Sequence, residues 1–290
     1  MLKMVMLQKY LYLCRGRSGS AAAARMAFFG LTATLLIFSS YAANSKQQVE
    51  EPLQFTYSGE KGPEKWGTLN PKFSLCGNGK SQSPINIITK QVVPNKKLKP
   101  LIRGYHPVNV TMVNNRITVA IDYPKQTGGI IVDGKPYALK QMHWHSPSEH
   151  RINGKRYAAE MHMVHVSDDG NVITVATLFK NGPPDPVLTK LHKQFNELAY
   201  EVKSHEKAPN SVESFPPKEL RTTPHKYYKY TGSSSVPPCG EGLTYLVLPK
   251  ARSISREQVE GLKAPLDMEC KYNARPCQAI NGRRVEVYEE

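Results

Sequence analysis

The stretch from Gln141 to His165 reads Q-M-H-W-H-S-P-S-E-H-R-I-N-G-K-R-Y-A-A-E-M-H-M-V-H and holds five of the chain's nine histidines with two carboxylates. Side chains alternate faces along an extended strand, so His143 and His145 share a face, as do Glu160, His162 and Val164 in the second run. Asn153-Gly154 is a turn signal between the two runs. Two neighbouring strands would then bring three imidazoles to one point. That is the donor set of a tetrahedral zinc site with one position left open for chemistry. Gln141 and Glu160 each stand two residues before a histidine on the matching face, where they can hold the imidazole nitrogen that a metal does not use. Three neutral ligands leave the full double charge on the ion, which acidifies a bound water strongly.

Strands must carry these residues, and the chain supplies them. R-I-T-V-A-I-D (116–122), Val172–Phe179 and Leu243–Leu248 are β-branched runs that read as strands. Asp185–Val202 reads as a helix, with Val187, Leu188, Leu191, Phe195, Leu198, Ala199 and Val202 at helical spacing. A second helix starts at Ser255, where Gln258 completes a capping box. Phe55–Asn86 and Pro209–Pro238 are rich in loop residues, and the former includes S-Q-S-P-I-N-I. There are no repeats, heptads or low-complexity tracts. Short strands with two peripheral helices give one domain of the mainly β (α+β) class.

Lys and Arg number 39 against 24 Asp and Glu, and five of the bases fall in an acid-free leader. No run of five like charges follows, so the surplus is a solvated basic surface, and no nucleic-acid motif accompanies it. Residues 1–42 read as a leader: Arg25, an apolar core over Phe28–Phe38, then small residues through Ala43. Residues 1–25 are either a longer leader or an upstream extension. The apolar run is short for a membrane span, so the domain at 43–290 is expected to be released into the secretory pathway, with the apoplast, or the plastid by that route, as its destination. It retains Cys76, Cys239, Cys270 and Cys277, an even number that suits an oxidising compartment and allows three pairings. Asn109-Val110-Thr111 is the one glycosylation sequon.

Six segments together resemble the secreted plant members of the α-class carbonic anhydrases: Y-S-G-E-K-G-P-E-K-W-G, C-G-N-G-K-S-Q-S-P-I-N-I, Q-M-H-W-H-S-P-S-E-H, Y-A-A-E-M-H-M-V-H, Y-x-G-S-x-x-x-P-P-C and N-A-R-P. The resemblance covers nearly all of 52–290. It implies a single domain on a large twisted, mostly antiparallel sheet with short peripheral helices, and zinc held by His143, His145 and His162. It also implies that Gln141, Glu160 and the Asn273 backbone orient those ligands. Glu149 would accept from the Ser235 hydroxyl, with Tyr57 supporting this gate, so that Ser235 keeps its acceptor side for the nucleophile. Cys76 and Cys239 match a disulfide of the plant members. Cys270 and Cys277 have no counterpart, and a second bridge and two free thiols both stay open.

Departures from the family pattern bear on rate. Ser234, Ser235 and Val236 stand where leucine and two threonines precede the prolines, and serine lacks the methyl that restricts a gate hydroxyl. In the substrate pocket Val164 is kept, but Thr174, Ser234 and Tyr245 replace valine, leucine and tryptophan. Ile117 occupies the position of the proton-shuttle histidine and carries no proton. His106 is a substitute to consider. His150 and His165 read as buried structural histidines, and Tyr227, Tyr228 and Tyr230 as packing and hydrogen-bond anchors. Two readings follow. The first is slow, zinc-dependent, reversible hydration of carbon dioxide to bicarbonate and a proton. The second is a weakened relative with a storage, defence or small-anion-binding role.

Overall fold

The computed structural model describes residues 53–204, 211–215, 220 and 223–290. The expected leader over 1–42 lies outside them. Among the described residues a twelve-stranded sheet dominates, and a three-stranded sheet lies apart from it. The central strands are β1 (Val108–Asn114), β2 (Val119–Asp122), β3 (Lys135–His145), β4 (Ala159–Val166), β5 (Val172–Asn181), β6 (Lys226–Ser233) and β7 (Glu241–Ile254). They pair in the order β1-β2-β3-β4-β5-β7-β6, with Ser211–Phe215 at one end and Glu286–Glu289 then Val93–Pro94 at the other. Most neighbours are antiparallel, whereas β5 pairs with β7 in parallel, as does Glu286–Glu289 with Val93–Pro94. The sheet is therefore mixed.

Alternation along the strands separates core from chemistry. Met142, Trp144, Met161, Met163, Val175 and Leu246 form one face and are at most 3% exposed. They belong to the main apolar cluster together with Leu191, Phe195 and Leu198. The intervening residues His143, His145, Glu160, His162, Thr174 and Tyr245 occupy the opposite face.

Several expectations are corrected by local geometry. The 116–122 run starts its strand only at Val119, because Asn114 and Asn115 build a turn from their side chains. Asn114 Oδ1 accepts from the Arg116 N–H at 2.8 Å and Asn115 Oδ1 from the Thr118 N–H at 2.8 Å. The helix expected over Asp185–Val202 is two helices, Pro186–Lys190 and His192–Ser204, broken at the buried Leu191. Ser255 caps Arg256–Lys263 through the expected box with Gln258. Pro209–Pro238 is not all loop: it contains Ser211–Phe215 and β6. Tyr and Thr favour strands, and Tyr227, Tyr228 and Tyr230 are all buried.

Cys76 and Cys239 form a disulfide across 163 residues, with Cα atoms 5.0 Å apart. It packs with Phe55, Trp66 and Phe73. Cys270 and Cys277 are free thiols, which settles their pairing. Closing so long a loop restricts the unfolded chain, and the loop-entropy relation gives about 5 kcal/mol. Reduction is expected to lower the urea midpoint accordingly; an unchanged midpoint after reduction, verified by thiol counting, would contradict this.

Candidate metal centre

β3 and β4 are antiparallel with His143 opposite His162 and His145 opposite Glu160. This register is what gathers the imidazoles. One ring nitrogen from each of His143, His145 and His162 lies within 4.8 Å of the others. The rings are 5.1, 5.2 and 4.7 Å apart between centroids. Burial, then mutual repulsion, holds His143 well below the usual imidazole range. Burial likewise lowers His145, partly opposed by Glu149. Burial is the largest influence on His162 and lowers it, but the hydrogen bond to Glu160 and the charges of Glu160 and Glu149 together outweigh it and raise the imidazole.

Each ring has one nitrogen free to face a cation. His145 Nδ1 donates to the Asn273 carbonyl at 2.7 Å, and its Nε2 is buried with no hydrogen-bond partner. His162 Nε2 donates to Glu160 Oε1 at 2.7 Å, leaving Nδ1 on the Glu149 side, 4.0 Å from Oε2. The donor set fits a divalent cation.

Behind Glu160 lies a buried chain of hydrogen bonds that sequence reasoning did not assemble. Glu160 Oε1 accepts from His150 Nδ1 at 2.6 Å and Oε2 accepts from the His150 N–H at 2.7 Å. With Nδ1 donating, His150 Nε2 accepts from the Tyr230 hydroxyl at 2.7 Å. Tyr230 then accepts from Ser83 Oγ at 2.9 Å, and Ser83 Oγ accepts from the Ser233 N–H at 3.1 Å. The order of donors requires Glu160 to be ionised, since only a carboxylate accepts on both oxygens. Burial opposes ionisation, yet His150 and His162 hold its carboxyl well below the usual range. His150, Glu160 and His162 also come together as three metal-type groups, but their 2.6–2.7 Å separations are direct hydrogen bonds with no room for an ion between them. His150 thus braces the candidate ligand His162 through Glu160, and S-Q-S-P-I-N-I supplies the far end of the chain.

Other expected partners sit differently. Gln141 does not reach His143: its Nε2 donates to Asp122 Oδ1 at 3.0 Å, and His143 Nδ1 has no partner. Asp122 is directly opposite Gln141 in the β2–β3 register and draws the amide group towards itself. Ser235 does not donate to Glu149 here. Glu149 Oε1 accepts from the Arg275 N–H at 3.1 Å, while Oε2 is buried without a hydrogen-bond partner, 3.5 Å from His145 Nε2. The Ser235 hydroxyl lies instead against the Tyr245 phenol, which donates its own proton to the Ser233 carbonyl at 3.0 Å; serine lacks the methyl that restricts a threonine rotamer. Tyr57 packs edge-on against Phe55 and Trp66 and makes no hydrogen bond to either gate residue. Burial, then the Glu149 charge, raises its phenol well above the usual range.

The pocket residues converge. Thr174 pairs with Val164 on one side and Tyr245 on the other, and the Tyr245 ring is 5.8 Å from His162. Ser234 adds less polarity than its type suggests, since its hydroxyl donates to the Val236 carbonyl at 2.9 Å. Ile117 is half-buried among apolar neighbours, and its carbonyl accepts from Asn273 Nδ2 at 3.0 Å. His106 is exposed beside Thr127; strand spacing places it roughly 15 Å from His143, too far to act directly. Asn109 is exposed on β1.

Arg275 was missed altogether. It is 1% exposed and its guanidinium donates to Gln82 Oε1, the Ser83 carbonyl and the Cys76 carbonyl at 2.8–2.9 Å. It ties the disulfide segment to the backbone N–H that holds Glu149. The only signal was an arginine inside N-A-R-P.

The model of the eukaryotic-type carbonic anhydrases matches residues 61–289. The chain belongs to that family. Alpha carbonic anhydrase 7 of Arabidopsis thaliana is 38% identical over 87% of this chain and 91% of its own length. A crystal structure of dioscorin complexed with ascorbate superposes with a TM-score of 0.76 at 34% identity, covering 81% of this chain and 98% of that one. The α-carbonic anhydrase of Thermovibrio ammonificans in complex with sulfanilamide gives 0.69 at 34% identity, over 80% and 98%.

His165 lies outside the cluster, and its burial is expected to make stability depend on pH. Its Nε2 accepts from the Tyr105 hydroxyl at 2.9 Å, and burial pushes its pKa down to about 3. The unfolded imidazole binds a proton near pH 6.5, so below that pH the unfolded state holds more protons and stability falls with pH. This contribution is complete above about pH 6.5 and is lost between there and about pH 3, at roughly 1.4 kcal/mol per pH unit. His165→Phe should flatten the stability profile between pH 4 and 6.5; an unchanged slope in urea titrations would contradict the assignment.

Proposed function

We propose that the chain is a zinc-dependent carbonate dehydratase of reduced efficiency, catalysing reversible hydration of carbon dioxide. The observation that carries this reading is the convergence of His143, His145 and His162 with one nitrogen each turned inward. Zinc held there by His143, His145 and His162 would supply Lewis acidity that lowers the pKa of a bound water towards neutrality, the effect for which carbonic anhydrases are the established example. The protein's own work is positional. The Asn273 carbonyl and Glu160 fix two of the rings. Glu149 offers Oε2, a buried acceptor without a donor. Rotation of Ser235 from Tyr245 toward that oxygen would complete the gate and leave the hydroxyl's lone pairs facing the nucleophile. Val164, Thr174, Ser234, Val236 and Tyr245 would bound the carbon dioxide pocket.

Three features support slowness: the free Gln141 side of His143, the unlatched Ser235 and the apolar Ile117. Ile117→His should raise turnover about tenfold in dilute buffer and much less in concentrated buffer. An equal gain in both would remove the proton-transfer argument. For the reading as a whole, chelation should abolish hydration and one equivalent of zinc should restore it; hydration that persists in metal-free protein would overturn it.

The unlatched gate equally favours the second reading, a secreted relative with a storage, defence or small-anion-binding role. The disulfide supports passage through the secretory pathway, and no helix among the described residues is long and apolar enough to cross a membrane. Asn109, on an exposed strand position, is a glycan acceptor under the same reading.

A further inference from the structure

A second site lies behind Glu149. The hairpin Arg151–Ile152 and Lys155–Arg156 turns through Asn153 and Gly154, both at positive φ. This turn sets Arg151 directly opposite Arg156. Like charges facing one another across a strand pair destabilise it. Neither guanidinium has an ion-pair partner among the described residues; Arg156 donates through Nε to the Ser148 carbonyl at 3.1 Å, and Arg151 makes no side-chain hydrogen bond. Both line a cavity of about 530 Å³ whose walls include Asn86, Pro276 and the half-buried Cys277. The Cys277 thiol donates to the Glu149 carbonyl at 3.5 Å, so the Glu149 backbone separates this cavity from the histidines that its carboxylate faces. The Glu149 carboxylate acts at a distance on Arg156, and Glu149 and Glu160 both act on Cys277.

We propose that this pocket is an oxyanion site, holding the carboxylate or phosphate group of a small molecule between the Arg151 and Arg156 guanidiniums. Arginine forks match both groups, and an anion relieves the repulsion the fold imposes. Cys277 reports on occupancy from inside the pocket. Burial pushes its thiol up to about 11, so alkylation is slow enough to follow by peptide mass spectrometry.

The experiment measures the rate of Cys277 carbamidomethylation by iodoacetamide in the full chain, with inorganic phosphate, citrate or chloride at matched ionic strength. Phosphate or citrate should slow labelling saturably, by about tenfold at ten times the dissociation constant, where chloride does not. Protection by phosphate alone assigns a phosphate-type ligand, and protection by citrate alone a carboxylate. Arg151→Gln should remove the protection. In the unsubstituted protein, iodoacetate should react faster relative to iodoacetamide at Cys277 than with a free thiol. Equal rates in all three salts, or the ordinary reagent ratio at Cys277, would overturn the site.

Discussion

His145→Ala should leave the protein folded but unable to retain zinc, and carbon dioxide hydration should fall to the uncatalysed rate. His145 contributes the buried Nε2 that has no partner within the protein, so its loss removes a donor that nothing else replaces. If three imidazoles share the roughly 12 kcal/mol typical of a structural zinc site, one carries about 4 kcal/mol. That corresponds to roughly 10³-fold in affinity. Metal analysis after dialysis is the check. A full equivalent of zinc retained by the variant would mean that the ion sits elsewhere.

Glu160→Gln should weaken the site without removing a ligand. The carboxylate accepts three hydrogen bonds, from His150 Nδ1, the His150 N–H and His162 Nε2. Glutamine keeps one acceptor and turns an amide donor toward a donor. A partner of a ligating histidine is worth about 10–100-fold in metal affinity. Losing a hydrogen bond to a buried charged group costs about 1.5–3 kcal/mol. Zinc titration and urea unfolding should therefore both move, and zinc affinity that is unchanged in a destabilised variant would show that the chain from Ser83 to His162 is purely structural.

Much of this site could be read before the fold was known, because strand alternation is a strict two-residue rule. His143, His145, Glu160 and His162 needed only that rule and one antiparallel pairing. The capping box at Ser255 was equally legible, since both partners lie within four residues. Contacts between distant segments were legible only where the family resemblance supplied them, as for Cys76 with Cys239 and His145 with the Asn273 carbonyl. His150 looked like a lone core histidine because its partners, Glu160 and Tyr230, arrive from separate strands. Gln141 was assigned to His143 by spacing, but Asp122, nineteen residues earlier, competes for it across the β2–β3 pair. Side-chain rotamers are likewise absent from a sequence, so the gate could be named while the position of the Ser235 hydroxyl could not. The break at Leu191 follows from packing, which overrides a helical pattern that continues through it.

The most direct test is stopped-flow hydration of carbon dioxide by purified protein whose zinc content has been quantified, with buffer concentration varied and a sulfonamide as control. The account predicts hydration that is inhibited by the sulfonamide, proportional to bound zinc and rising with buffer concentration. Full zinc occupancy with no hydration above buffer would contradict it, and the binding or storage reading would stand in its place.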